Sequence, residues 1–508
     1  MKQYFIERKN ELAFVAILNV LFIIAFNLLF YPRFHSDLDI LMQSAVYGVS
    51  GISSSYILYS NIIIGKFLTI LLSFVDETAC YILFHNTTVF ISLFIMTYIT
   101  IKRNKSLTGK ILATVMVAFI GYECYVEPNY MKTAALLSVC AAYLFLYAYE
   151  TKARKKIMPV ILLTVLSSMI CLSVCIITSV VGYGIVFAYC WKKGCNKNWT
   201  IILITTALSI IILATGARLF DNAVYSLNGK AESLSYRNSM EKILGYGVPD
   251  YSEDMLDTYG LDGTQYNSIS QGMFFSEGNN AFELVKEISN ETQAFSFETI
   301  SNFFKAVPIS LFKTGMLYYL IVLCAISFLV GDRKNLMIGT LIMLLVEYFL
   351  FYMFNAWKVE WISFIVMLPI SLLLLIGTKR AVVKDRESMI AYIIVLSVIL
   401  YSNFSSTMVT SVREEGTEAL YMQAQPEYVY VVDMVEYLKA GSVYDVYDRI
   451  AIPGNVFLVN GAYGLMGEFT YWTTLNPPAE GGEYYWLYNP AKLGAESLFL
   501  REENLQSE

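Results

Sequence analysis

The 508 residues are 56% hydrophobic and only 15% charged, with a formal net charge of −6. Soluble domains carry about 25% Asp, Glu, Lys and Arg, so the composition excludes an ordinary soluble enzyme. Basic residues sit in short loops and acids gather in 218–305 and 406–508, which argues against nucleic acid as a partner and for a chain oriented in a membrane.

The chain opens "MKQYFIERKNELAFVAILNVLFIIAFNLLFYP". It is basic and then apolar for longer than a signal-peptide core, and no small-residue cleavage site follows, so it reads as an uncleaved first span. The next stretch, "FHSDLDILMQSAVYG", packs one of the two histidines and two carboxylates into five residues. Ser36 suits an N-cap, with Asp37, Leu38 and Asp39 as the first helical positions. Ser-x-x-Asp approximates a capping box, and both acids complement the helix dipole. That account uses Asp39 and leaves Asp37 without a structural role. Asp37 is the candidate general base or metal ligand. His35 either solvates the loop or touches substrate.

The loops rich in Lys and Arg begin at Met1, Lys102, Glu150, Trp191, Gly331 and Thr378. The positive-inside rule gathers them on the cytoplasmic side, so each consecutive pair must enclose an even number of crossings. Parity therefore lays 57–75 flat on the outer surface as an interfacial amphipathic helix with Lys66 in its polar face. It splits 111–149 into two spans near "YECYVEPNY". It makes 158–190 two short spans, with the turn near "TSVVGYG".

The expectation is a polytopic α-helical protein of about eleven spans: 11–31, 77–101, 110–124, 129–149, 158–174, 176–191, 199–217, 308–330, 336–354, 360–377 and 389–405. The N-terminus is cytoplasmic and the C-terminus extracytoplasmic, in a bacterial plasma membrane. Residues 1–217 form an N-terminal membrane module with a catalytic-type outer loop at 32–76. Residues 218–305 form an outer loop domain, 306–405 return to the membrane, and 406–508 form an outer lobe.

In the loop domain, Ala231 to Leu244 and "FELVKEISNE" read as helices, and "GYGVPDY" between them as a turn. In the last segment "EYVYVVDMVEYL" and "GNVFLVNGAYG" read as strands, giving a small α/β lobe. Its tyrosines, Trp472 and Trp486 either pack internally or contact carbohydrate. The eight cysteines lie in or beside apolar stretches and neither long polar segment holds one, so no disulfide framework is expected.

Further candidates sit near the outer ends of the spans. Glu123, Glu127 and Lys132 bracket one outer turn. There, Lys132 either pairs with Glu127 or binds a donor phosphate. Arg218, ending the seventh span, either snorkels to headgroups or forks a phosphate. Arg237 either fixes the outer loop or contacts the acceptor. Lys313 snorkels, and Glu347, inside "LLVEYFLF", needs a partner or a proton.

The layout of first span, outer acidic motif, interfacial helix, further spans and outer lobe resembles a type-C (GT-C fold) glycosyltransferase. The chain is more closely similar to bacterial polytopic proteins of that class with an Asn-Asp-Asp motif here. In them the motif is followed by "SGxYxGxP…FxNxxxGxxLxxLY". The matching stretches are "HSDLDILMQSAVYGVSG", "ILYSNIIIGKFLTILL", "NYMKTAALL" and "YRNSMEKILGYGVPDY". Asn-Asp-Asp is replaced by His35-Ser36-Asp37, so one acid of the motif stays in place.

The resemblance implies transfer of a sugar from a polyprenyl-phosphate donor, on the outer face, to a glycan, lipid or protein acceptor. It implies Asp37 as the catalytic group, with His35, Asp39, Lys132, Arg218 and Arg237 as substrate-binding candidates, and leaves room for a divalent metal, Mg or Mn, on Asp37. Two rival readings are a transporter or flippase for a lipid-linked glycan, with charges at the bilayer midplane, and a non-catalytic relative that binds glycan through its outer lobes.

Overall fold

The structure is a computed structural model. It describes most of residues 2–231, short pieces and single positions between 234 and 345, residues 362–377, and three strands. The spans expected at 308–330, 336–354 and 389–405 lie wholly or largely outside these residues, as does most of the loop domain. Within "FELVKEISNE" residues 286–290 are helical.

The first helices are α1 (Lys2–Leu29), α2 (Asp37–Tyr47), α3 (Ile62–Phe74), α4 (Cys80–Asn104) and α5 (Leu107–Tyr125). They are followed by α6 (Tyr130–Glu150), α7 (Ile157–Ile170), α8 (Leu172–Lys192), α9 (Lys197–Leu227) and α10 (Ile362–Gly377). Among the described residues, five helices are long and apolar enough to cross a membrane: α1 from Asn10, α4, α6, α8 and α9. Helix α3, at 13 residues, extends about 20 Å. That is shorter than a core of about 30 Å.

The break between α5 and α6 falls where it was expected. Pro128 disfavours helix at the residue before it. Asn129 then restarts the chain as an N-cap, its Oδ1 accepting from the amides of Met131 and Lys132.

The break in 158–190 does not fall at "TSVVGYG". It lies at Cys171, whose extended backbone (φ −152°, ψ 106°) separates α7 from α8. Gly182 and Gly184 are inside α8. Gly182 serves packing rather than a turn, since a Cβ there would stand 3.2 Å from the Ala142 methyl on α6. Helix α9 also runs on past 217, the expected end of the seventh span, to Leu227.

Helix α6 is the hub. It packs on α4, α7, α8 and α10, and its small residues Ala134, Ala135, Ser138, Cys140, Ala141 and Ala142 are buried. Without a hydrophobic drive between helices in lipid, small residues and interhelical hydrogen bonds supply the association. Here Ser167 donates to the Ala134 carbonyl at 2.7 Å, Thr100 meets the Tyr143 hydroxyl at 3.2 Å, and Ser138 bonds Thr178.

The bundle has two distinct ends. At one, Lys102 on α4 pairs with Glu11 on α1, and Arg103 pairs with Glu150 at the foot of α6. The Tyr189 hydroxyl of α8 donates to Glu150 Oε1, and Trp199 of α9 stacks edge-on against Tyr149. This basic end carries the Lys- and Arg-rich loops within 102–197. At the opposite end α2 and α3 meet the starts of α4 and α6, the end of α7 and the far part of α9. Helices α6 and α8 are 21 residues each, so the two ends are separated by about 31 Å, one hydrocarbon core.

In the C-terminal segment, β1 (Val429–Asp433) lies between β2 (Val456–Val459) and β3 (Tyr484–Leu487) in a parallel sheet. Both expected strands are present, and β3 adds Trp486 to the sheet.

Candidate functional site

The first turn of α2 carries the acidic motif. Asp37 opens the helix, while its side chain, His35 and Ser36 lie outside the described residues. Asp39 is 1% exposed. It does not turn back to cap its own helix through its described contacts. Its Oδ1 instead accepts from the Tyr81 hydroxyl on α4 at 2.7 Å and from the Tyr130 amide, at the start of α6, at 3.0 Å. One side chain thus joins three helices, and it satisfies a first-turn amide of α6 that has no partner within its own helix.

Its other oxygen, Oδ2, has no hydrogen-bond partner among the described residues. Burial pushes the Asp39 carboxyl up to about 8, against the lowering pull of the two hydrogen bonds and of the Lys132 charge. Near neutral pH the group is therefore mostly a protonated acid. Its neighbours close the pocket: Phe34 packs edge-on against Tyr81, and Tyr81 stacks on His85 at 4.6 Å. His85 Nδ1 lies 3.1 Å from the Thr133 hydroxyl on α6.

Lys132, one turn into α6, is likewise 1% exposed. Its Nζ lies 2.8 Å from Glu123 Oε2 and 3.5 Å from Glu127 Oε2. It also donates to the carbonyls of Glu123 and Glu127 at 3.0 and 3.3 Å. Three ammonium hydrogens are fully occupied by such a cage. The pairing expected with Glu127 is present and Glu123 is its closer half, so donor-phosphate binding by Lys132 would require this cluster to open. The "NYMKTAALL" element thus meets the acidic motif directly at the Tyr130 amide.

Arg218 lies farther around the same end. Its Nη1 is 3.2 Å from Asp221 Oδ2, and a third of its side chain is exposed. Asp221, 1% exposed, also accepts from the Ile62 amide at 2.8 Å, at the start of α3. Asn61 ties the same corner together. Its Oδ1 accepts from Ile63, its Nδ2 donates to the Ala217 carbonyl at 2.9 Å, and its amide donates to the Met169 carbonyl at 2.8 Å.

Between these groups and the α7–α8 break is a cavity of about 30 Å³ lined by Ser60, Asn61, Ile170, Arg218 and Asp221. It has room for a water or one small polar group. The spacing Asn61, Gly65, Leu68 in the "NxxxGxxL" pattern therefore has a packing reason. Asn61 pins α3 to α7 and α9, Leu68 is fully buried, and a Cβ on Gly65 would collide with the Ser55 carbonyl. Lys66 is exposed on α3, but not on the expected polar face: Ile63, Phe67, Ile70 and Phe74 are exposed around it.

The structure thus brings Asp37, Asp39, Lys132 and Arg218 to one end of the bundle. Arg237, Lys313 and Glu347 lie outside the described residues. Sequence reasoning missed Tyr81, His85, Asn61, Asp221 and the cap role of Asn129. The polar residues Asn61 and Asn129 at helix starts were legible cap signals. Tyr81 and His85 gave none, because their partners lie tens of residues away. Among the described residues, no group of three or more His, Cys, Asp or Glu side chains is placed to share an ion. The described neighbour of Asp37 best placed to help, Asp39, is already held by Tyr81 and Tyr130.

No protein-family model, no curated protein and no solved structure matches the chain.

Proposed function

We propose that this chain is a membrane glycosyltransferase that moves a sugar from a polyprenyl-phosphate donor to a glycan, lipid or protein acceptor. The observation that carries the reading is the anchoring of the first turn of α2 through Asp39. Asp39 is consumed in locking that turn to α4 and α6, which leaves Asp37 at the head of a fixed helix. The turn lies about one hydrocarbon core from the basic end, the depth of the opposite headgroup plane, where a lipid-linked sugar phosphate sits.

In the proposed step Asp37 takes the proton of an acceptor hydroxyl. That oxygen forms the new bond to the anomeric carbon while the bond from this carbon to the phosphate oxygen breaks. The polyprenyl phosphate departs with the electron pair. A correctly placed base contributes about 10²–10⁴ in rate. The basic end is cytoplasmic in this reading, so the motif end and the sheet-bearing C-terminal lobe are extracytoplasmic, in a GT-C-like arrangement in a bacterial plasma membrane.

The described buried ionic groups favour this reading over a transporter. Asp39, Glu123 and Lys132 cluster at one end and Arg103 and Glu150 at the other, rather than at the midplane. The test is transfer from radiolabelled polyprenyl-phosphate sugar by purified protein. The Asp37→Asn protein should retain donor and lose transfer. Undiminished transfer would remove Asp37 from the mechanism, and donor retention without transfer by the wild type would favour a non-catalytic glycan-binding protein.

A further inference from the structure

We propose that the basic end of the bundle carries a binding surface for anionic phospholipid headgroups, formed jointly by the α6–α7 and α8–α9 connections. From Thr151 to Phe220 the sequence contains no Asp or Glu. Within that stretch Lys152, Arg154, Lys155, Lys192, Lys193 and Lys197 are all exposed, and none has an ion pair among the described residues. The two connections are brought together by α6. Tyr189, near the end of α8, bonds Glu150 at 2.9 Å, and Trp199, at the start of α9, packs on Tyr149. Glu150, the one carboxylate at this corner among the described residues, is turned inward and held by Arg103 in a two-pronged pair. The cations outside are left without a counter-charge from these connections.

Part of the surface is ordered before any lipid arrives. Lys156 lies over the Tyr147 ring at 3.6 Å and Lys193 over the Tyr189 ring at 6.0 Å, so their stems are held by aromatic faces. Lys152 takes a left-handed backbone (φ 54°) that turns the chain sharply out of α6. Immediately beside the cations are large exposed apolar side chains, Met158 on α7, Trp191 on α8 and Ile201 on α9. A headgroup phosphate at the cations would lay its acyl chains along that apolar surface. This pairing of charge and apolar area fits a phospholipid better than a soluble polyanion, which would use only the charge. Clusters of four to eight Lys or Arg beside a membrane span act in this way, each contributing about fivefold in affinity near an anionic surface.

The test uses the full-length protein, purified in dodecylmaltoside and stripped of lipid. Phosphatidylglycerol and phosphatidylcholine with identical acyl chains are each titrated in, and bound lipid is counted by native mass spectrometry. The wild type should retain the anionic lipid at least about tenfold more tightly, and the preference should shrink as NaCl rises. The Lys152→Gln/Lys155→Gln/Lys192→Gln/Lys193→Gln protein should lose the preference while holding phosphatidylcholine as before. The Lys66→Gln protein, altered at the opposite end, should keep it.

Should the quadruple variant melt at a lower temperature without lipid, Lys152→Gln and Lys192→Gln are tested singly, each expected to cut the preference by about fivefold. A preference that survives neutralisation, or a wild type that does not discriminate, would overturn the proposal. Full displacement of phosphatidylglycerol by glycerol phosphate would assign the cations to a soluble anion instead.

Discussion

Replacing Asp39 separates its shape from its charge. Asp39→Ala deletes the acceptor shared by the Tyr81 hydroxyl and the Tyr130 amide. A buried donor left unpaired costs about 1–3 kcal/mol, so two such donors predict a loss of about 2–6 kcal/mol. Asp39→Asn keeps a carbonyl oxygen where Oδ1 stands. The carboxyl is held as a neutral acid over the lower and neutral pH range, its pKa raised to about 8 chiefly by burial, so the amide is a close substitute.

The sign of the pH effect follows from proton counts. Between the ordinary carboxylate value and about 8, the folded protein keeps the proton on Asp39 while the unfolded chain has released it. Folding stability contributed by this group is therefore complete at acid pH and falls as pH rises, by about 1.4 kcal/mol per unit. It levels off above about pH 8.

The Asp39→Asn protein lacks this slope. Measured as melting temperature in detergent from pH 4 to pH 9, it should match the wild type near pH 4 and exceed it by a margin that widens up to about pH 8. The Asp39→Ala protein should melt below the Asp39→Asn protein throughout, and below the wild type at the acid end. If Asp39→Asn destabilised as much as Asp39→Ala, and the wild-type pH slope persisted in it, the carboxyl would be working as a buried anion and the assignment here would fail.

Arg103 is 7% exposed, forks Glu150 and also donates to the Leu375 carbonyl of α10. Arg103→Met should cost about 3–5 kcal/mol, because it strands a buried carboxylate, and Arg103→Met/Glu150→Met should cost less than the sum of the singles in a double-mutant cycle read by thermal melting. Lys132→Leu should be similarly costly, about 3–5 kcal/mol, with partial recovery on adding Glu123→Gln; full stability in the single variant would contradict the cage around its Nζ. Gly65→Ala should lose about 1–3 kcal/mol to the clash with the Ser55 carbonyl, whereas Gly216→Ala, where an added Cβ meets nothing within 4 Å, should gain up to about 1 kcal/mol. Equal melting of these two glycine variants would mean that α3 does not sit as close to 53–57 as described.

The sequence by itself determined the helical class, the start of most described spans and the clustering of basic loops at one end. These follow from local quantities: runs of apolar residues, Pro128 and Asn129 at a break, and charges that stay out of hydrocarbon. Parity of those charges left 62–74 out of the expected spans, and its helix has 13 residues.

The same local reasoning failed where a residue had two uses. Gly182 and Gly184 looked like a turn because glycine permits one, but contact with Ala142 needs a missing side chain at Gly182 just as strongly. The reversal fell instead at Cys171, which has no sequence signal. Asp39 looked like a cap because Ser36 stands three residues before it. Only the approach of α4 and α6 reveals that Tyr81 and Tyr130 claim its carboxyl. Lys132 and Glu123 are nine positions apart and across a helix break, and Arg103 and Glu150 are on different helices, so neither pairing is readable along the chain. A long-range contact depends on how helices pack, which is set by the summed fit of many small side chains along α6. What the tertiary structure decided was therefore that Asp39 is spent on holding α2 to α4 and α6.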